Sequence, residues 1–379
     1  MSLKVRSRIP YGNARAVQVK TDGEMPAVHF SVDPHGEPQC LWFCFTLEET
    51  EPAATPADGK LRLVLDHCDN LAGVTDPSLL MPVYRPSDKG WFRTKRGDVH
   101  TEEDGRCSVA WEVNYPSPAL DVAFCFPYGK DEVGRLVHKS KGYWQTDKIG
   151  LSHNGRPLMR LRNNPTAPGK RPGLYLIARQ HAGETPGSWV LDGVLEHLSR
   201  TRKNPFLVWT VPLCDVDGIH GGDYGAHGLP YDMNCGWGAT PRRHEHVVIQ
   251  NDLARWQERC TPTLAIDFHA PGPCETGGVY CRLPPPESNP ELHKEAVKWA
   301  HTLKDALTDE FAAEKFERAE EEPGPLPGHS FLRYVAGTLG VCAVTVETPY
   351  AMVGTTPLSQ KAYREIGRRI SDALIRRKT

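Results

Sequence analysis

The richest chemistry in the chain lies in Leu174-Tyr-Leu-Ile-Ala-Arg-Gln-His181-Ala-Gly-Glu184-Thr-Pro, where a histidine and a glutamate stand three residues apart. An apolar, strand-like run ends at Arg179. Thr185 then suits an N-cap and Pro186 a first helical position, so a helix begins directly after the pair. His-x-x-Glu is thus offered at the C-terminal mouth of a strand, where open α/β sheets place their ligands. An imidazole nitrogen and a carboxylate oxygen at this spacing can both reach one zinc ion at about 2.0–2.2 Å, and a catalytic zinc takes three protein ligands and keeps a position for water. A solvated histidine and glutamate in a loop would show the same spacing. The pair therefore gains meaning only from its company.

Three further apolar runs end in polar residues. Phe206-Leu-Val-Trp-Thr-Val-Pro-Leu leads to Asp215 and Asp217, Thr263-Leu-Ala-Ile-Asp-Phe-His ends on Asp267 and His269, and Gly340-Val-Cys-Ala-Val-Thr-Val-Glu ends on Glu347. If these strands are parallel, all four polar sets gather at one rim of a sheet. Each is individually more ordinary as a structural residue, but four independent ones would rarely converge.

The elements that must position these groups can be read from periodicity. From about residue 133 to 379, near-continuous apolar strands alternate with helices expected at 186–200, 243–258, 289–320, 330–339 and 356–377. That alternation implies a mixed, largely parallel sheet flanked by helices. Residues 1–132 instead show short β-branched and aromatic segments between Gly, Pro and Asp clusters, the pattern of an antiparallel β-sandwich. This front domain carries no nucleophile, metal cluster or phosphate loop, and His67, His100 and Glu102-Glu103-Asp104 read as solvated loop groups. Residues from Pro127 to about Asn164 read as a joint between the two domains.

With 379 residues the chain exceeds the usual size of a single core, so two domains are expected. The formal net charge of −2 gives no global field favouring nucleic acid or an anionic membrane. No run is long and apolar enough for a membrane span, and the basic N-terminus lacks the apolar region of a secretory signal. Eleven cysteines are scattered singly, which suits reduced, buried thiols rather than a disulfide framework. These features predict a soluble protein of the cytoplasm.

Taken in order, His181-Ala-Gly-Glu184-Thr185, Asp215-Val-Asp-Gly218, Tyr231-Asp-Met-Asn234, Asp267-Phe-His269 and Val346-Glu347-Thr348 resemble the zinc metallocarboxypeptidase family. The chain is most similar to its cytosolic carboxypeptidase branch, which also carries a β-sandwich before the catalytic domain, matched here by Cys40-Leu-Trp-Phe-Cys-Phe and Ala123-Phe-Cys-Phe-Pro-Tyr. The motifs cover about residues 174–350. The resemblance implies Zn²⁺ held by His181, Glu184 and His269, Glu347 as general base, and Asp232 as the carboxylate that orients a ligand histidine. It also implies a carboxypeptidase-like catalytic domain over residues 133–379.

The pattern breaks where the family has two arginines that grip the substrate's terminal carboxylate and stabilise the oxyanion. The corresponding stretches read Gly222-Asp-Tyr-Gly225 and Asp232-Met-Asn234-Cys235, so both arginines are missing while Asn234 is retained. Arg242, Arg243 or Arg333 could supply the charge, with Arg333, on the segment leading to the Glu347 strand, the first choice. Tyr350 either binds substrate or covers the site. His220 and His227 lie in the loop over the site. His244 and His246 sit two apart on a predicted helix and so do not share a face. The expected activity is zinc-dependent hydrolysis of an amide near the C-terminus of a peptide or protein tail. The alternatives are a zinc amidase or deacylase with a different substrate, such as a cell-wall peptide or acyl-amino acid, and a zinc-retaining binding module with weak turnover.

Overall fold

The computed structural model describes residues 3–21, 23, 25–50, 59–87, 89–116, 118–163, 170–201, 204–225, 231–320 and 329–377. The chain divides into two compact units, one formed by residues 1–127, 218–224 and 272–275, the other by residues 128–217, 225–271 and 276–379.

The first unit consists of two five-stranded sheets. Leu3–Arg6, Cys44–Glu49, Ala119–Ala123, Val83–Pro86 and Phe92–Arg93 pair antiparallel throughout one sheet. Arg15–Lys20, Ala27–Ser31, Lys60–Asp66, Cys107–Asn114 and Asp98–Thr101 form the other, in which Ala27–Ser31 runs parallel to Lys60–Asp66. Among the described residues that parallel pair departs from the antiparallel sandwich read from sequence. Alternation does the folding here: Leu61, Leu63, Val109, Trp111 and Val113 are buried, while Lys60, Arg62, Glu112 and Asn114 between and beside them are exposed. Phe30 of one sheet meets Phe45 of the other edge-on, with ring centroids 4.9 Å apart.

The second unit runs α1 (Lys130–Lys139), β1 (Gln145–Leu151), β2 (Pro157–Arg162), β3 (Pro172–Ala178), α2 (Thr185–Arg200), β4 (Leu207–Val211), α3 (His244–Arg259), β5 (Thr261–His269), β6 (Val279–Leu283), α4 (Pro290–Phe311), β7 (Ala312–Ala319), β8 (Ala343–Glu347) and α5 (Gln360–Arg376). Its eight-stranded sheet has the order β1-β2-β4-β3-β5-β8-β6-β7. The strands expected to be parallel are so: β3 pairs parallel with both β4 and β5, and β5 with β8. β3, β5 and β8 are buried on both faces near the site, as continuous apolar runs require.

Several boundaries differ from the sequence reading. The helix expected to reach residue 320 stops at Phe311, and Ala312–Ala319 becomes β7, pairing parallel with β6. Ala-Ala-Glu-Lys-Phe-Glu-Arg-Ala has helical propensity, but an open sheet edge outweighs it. The expected helix 330–339 is a single turn, Phe331–Arg333, followed by a π turn over Tyr334–Thr338. The last helix starts at Gln360 rather than 356, after Ser359, whose hydroxyl accepts the Ala362 N–H. The stretch read as a joint contains α1, β1 and β2. All eleven cysteines are free, and among the described residues no helix is long and apolar enough to cross a membrane.

At the start of α3, His246 is fully buried, with Nδ1 accepting the Arg243 N–H at 3.1 Å and Nε2 donating to the Met233 carbonyl at 2.7 Å. The histidine thus fastens the segment carrying Asp232 and Asn234 and has no nitrogen left for a metal; His244 is exposed. Burial pulls its pKa from 6.5 down to about 4, so the ring stays neutral when folded and takes a proton only on unfolding. Its contribution to stability is therefore complete above pH 6.5 and is lost as pH falls toward 4, by roughly 3 kcal/mol at the low end. Denaturant unfolding of wild type and His246→Gln should show a stability gap that narrows between pH 7 and pH 4.

Candidate metal centre

β3 delivers the chain to the reactive rim, and Arg179 turns it there. Its φ of 64° lies in the left-handed region, uncommon for a residue with a side chain. Its buried guanidinium holds the turn, with Nε donating to the Ala182 carbonyl at 2.8 Å and Nη1 to the Tyr128 carbonyl at 2.8 Å. Two residues later His181 points inward, and α2 begins after Glu184. Glu184, not Thr185, occupies the N-cap position, yet its side chain caps nothing on the helix. Its carboxylate is directed instead to the two imidazoles.

Glu184 Oε1 lies 2.8 Å from His181 Nδ1, and Oε2 lies 2.8 Å from His269 Nδ1 while accepting the Ala270 N–H at 3.0 Å. The three side chains offer ligand atoms all within 4.8 Å of one another. Gly187 makes this approach feasible, since a Cβ there would come within 2.5 Å of the Phe268 carbonyl oxygen. The first turn of α2 thereby rests directly on the end of β5.

The other nitrogen of each ring is also held. His181 Nε2 lies 3.3 Å from Asp232 Oδ1, and His269 Nε2 lies 2.7 Å from Asp267 Oδ2. Gln180 links the two sides, its amide donating to Asp267 Oδ2 at 2.5 Å and Asn234 Oδ1 at 3.0 Å and its oxygen accepting from the Trp237 indole at 2.7 Å. Asn234 Oδ1 also takes the Phe331 N–H at 3.1 Å. Carboxylates that bind the outer nitrogens fix ring orientation and raise ligand basicity, as metal-binding histidines require.

Charge follows the same arrangement. Burial alone would push both imidazoles down, but Glu184 with Asp232 holds His181 well above its usual range, and Asp267 with Glu184 brings His269 up to about 10. Burial opposes ionisation of Glu184 too, yet the two rings bring its pKa down to about 2. Glu347 goes the other way: burial raises its pKa, with Glu184 adding to the rise and His269 and Arg282 opposing it.

Glu347 closes β8 directly opposite His269 in the strand pairing. Its Oε1 accepts from Arg282 Nε at 2.8 Å, whereas Oε2 is buried without a hydrogen-bond partner among the described residues. Asp232, Asn234 and Glu347 thus lie around the three candidate ligands. Arg333 does not join them: it pairs with Glu320 at 3.1 Å. Arg243 is buried against Asp215, at 2.7 Å, and Arg242 lies over the Tyr231 ring. Tyr350 is buried, with 2 % exposure. His220 is exposed, and His227 lies outside the described residues.

Glycine at position 225 has a steric explanation. Its φ is +92° and a Cβ would stand 2.3 Å from the Ala182 nitrogen, so no side chain fits where the family pattern has an arginine. The sequence reading placed Asp267 at the reactive rim without giving it a role, and missed Gln180 and Arg282 as parts of the site. Asp267 carried a usable signal, because residues two apart on a strand share a face and His269 was already a candidate. Arg282 carried none, since only the antiparallel pairing of β6 with β8 brings it beside Glu347.

No family model matches the chain. Among curated proteins, mouse cytosolic carboxypeptidase 6 is 23 % identical over 272 residues, covering 66 % of this chain and 50 % of that protein. The human cytosolic carboxypeptidase 6 is 24 % identical over 273 residues, covering 66 % and 53 %. The chain therefore spans about half the length of these relatives. Among solved structures, a metallo-carboxypeptidase from Burkholderia cenocepacia superposes with a TM-score of 0.74 at 17 % identity, over 99 % of this chain and 98 % of that one. A metallo-carboxypeptidase from Pseudomonas aeruginosa, in complex with (2-guanidinoethylmercapto)succinic acid, gives 0.74 at 21 % identity over 98 % of each chain. The sequence relatives and structural neighbours match the resemblance read from the motifs, and the fold is that of the metallo-carboxypeptidases.

If Asp267 orients His269 toward a metal, Asp267→Asn should weaken metal affinity about 10–100-fold with the fold retained. Competition with a chromophoric chelator, alongside circular dichroism, measures this directly.

Proposed function

We propose that the chain is a zinc-dependent peptidase of carboxypeptidase type, hydrolysing an amide near the C-terminus of a peptide or protein. The observation that carries this reading is the grouping of two imidazoles and a carboxylate beside Glu347, whose Oε2 is buried with no partner among the described residues. Two histidines and one glutamate make up the donor set of a catalytic zinc, and Asp232 and Asp267 hold the rings from behind. Zinc held by His181, Glu184 and His269 would polarise the scissile carbonyl and acidify water.

The chain's own residues account for the rest. Glu347 takes a proton from the attacking water on Oε2 and passes it to the leaving amine nitrogen. Arg282 holds Oε1 and so sets the direction of the accepting oxygen. The raised proton affinity of Glu347 suits a base that keeps the proton until the amine departs. With its oxygen bound by Gln180 and Phe331, Asn234 directs its NH₂ group to donate to substrate. The guanidinium of Arg282, bonded to the base, is a closer candidate than Arg333, which is paired with Glu320, for holding the substrate carboxylate. The cytosolic relatives and eleven free thiols support a cytoplasmic setting.

A second reading follows from Gly225 and Cys235 at the two arginine positions. One lost charge-assisted contact costs about 1.5–3 kcal/mol, enough to weaken selection for a free terminal carboxylate. An amidase with another anchor would use the same metal and base.

Glu347→Gln should lower kcat by about 10²–10⁴-fold while metal content stays at the wild-type level. Arg282→Ala should raise KM for peptides with a free C-terminal carboxylate more than for their amidated forms. If wild-type enzyme cleaves the two forms at equal rates, exopeptidase action is excluded and the amidase reading stands.

A further inference from the structure

At the opposite rim of the same sheet lies a cavity of about 660 Å³, bordered by the segments that precede β3, β4 and β5. Among the described residues six cations line it, Lys148, Arg160, Arg162, Arg171, Arg255 and Arg259, against three carboxylates, Asp147, Asp252 and Glu258. The lining therefore carries three surplus positive charges in a chain whose net charge is −2.

Its inner wall is rigidly built. Arg160 donates through Nη1 to Asp252 Oδ1 at 2.6 Å and through Nη2 to Asp147 Oδ2 at 2.7 Å, and it stacks 3.5 Å over the Trp209 ring. Fully buried Asp252 is fixed in turn by the Tyr175 hydroxyl at 2.9 Å. Arg162 Nε reaches Asp147 Oδ2 at 2.6 Å. After these bonds, Arg160 Nε and Arg162 Nη1 remain buried with no acceptor among the described residues. Buried donors are nearly always satisfied, so this wall lacks acceptors. Lys148, Arg171, Arg255 and Arg259 are exposed around the mouth and form no ion pair with a described residue.

Cations alone do not make such a site. A second cavity, of about 790 Å³ between α4 and α5, also holds arginines, but Arg368 is bonded to Glu365 and Asp372, Arg369 to Glu310 and Glu365, and Arg377 to Glu295. Arg376 lies 4.0 Å from Asp372, so every arginine of that cavity has an acidic partner, and its lining of four arginines against three carboxylates is close to neutral.

From the contrast we infer that the cavity at the amino ends of β3, β4 and β5 binds a compact polyanion, a small molecule bearing two or more linked phosphoryl groups. Its volume is that of a small-ligand site, and the guanidinium groups of Arg171, Arg255 and Arg259 at its mouth are of the type that matches phosphoryl oxygens in pairs. A monoanion would leave most of the surplus charge unopposed. The site stands at the amino ends of the strands, whereas His181, His269 and Glu347 stand at or beyond the carboxyl ends, so its ligand would not compete with peptide substrate.

The test is calorimetric titration of the full, metal-loaded chain with tripolyphosphate, pyrophosphate, orthophosphate and sulfate at matched ionic strength, and with an oligoglutamate peptide. Tripolyphosphate should bind at one site per chain and at least about tenfold tighter than orthophosphate. Arg255→Glu combined with Arg259→Glu, and separately Lys148→Glu on β1, should each weaken it severalfold or more, while Arg368→Glu in the second cavity leaves it unchanged. Binding that survives the double variant, as chelation of the catalytic metal would, overturns the proposal. Equal affinity for orthophosphate, or tighter binding of oligoglutamate, does so as well.

Discussion

One carboxylate holds the reactive end of the molecule together. Glu184 gives one oxygen to His181 and the other to His269. The two rings arrive on different strands, β3 and β5, so the contact exists only if those strands are adjacent, parallel and in register, with α2 starting immediately beyond. Each condition has a local cause: continuous apolar runs bury β3 and β5 on both faces, the left-handed turn at Arg179 ends β3 abruptly, and Gly187 lets the helix touch the end of β5. A one-residue slip of β5 would turn both Asp267 and His269 to the opposite face.

Around this carboxylate the charges form an ordered series. Asp232 and Asp267 stand behind the rings, Glu184 between them, and Glu347 to one side against Arg282. Glu184 and Glu347 are both buried, yet one is driven down to about 2 and the other up, because two imidazoles bonded to Glu184 outweigh its burial, whereas at Glu347 burial and the Glu184 charge outweigh His269 and Arg282. Two carboxylates with opposed proton affinities in one site suit two different tasks, one holding positive charge and one moving a proton.

How much of this was legible depended on range. The strands that carry His181, His269 and Glu347 announced themselves as apolar runs with polar endings, and their parallel order follows from the helices between them. The sandwich was legible through alternation, apart from its parallel pair. Contacts set by pairing across the sheet were not: Arg282 reaches Glu347 only because β6 runs antiparallel to β8, and β7 took a helix-prone sequence for its edge position. Arg333 looked available from its place in the chain, but Glu320, which reads as one more residue of a charged helix, is folded back to neutralise it. Sequence spacing indicates which residues share an element, while sharing a site also depends on which cations have already met an acid.

The close contact at Gly225 also constrains how the site can change over time. With no room for even a methyl group beside Ala182, a single codon change cannot place a guanidinium at that point without moving the turn that carries His181. Later adaptation toward acidic chain ends would have to proceed through neighbouring positions such as the β6 strand.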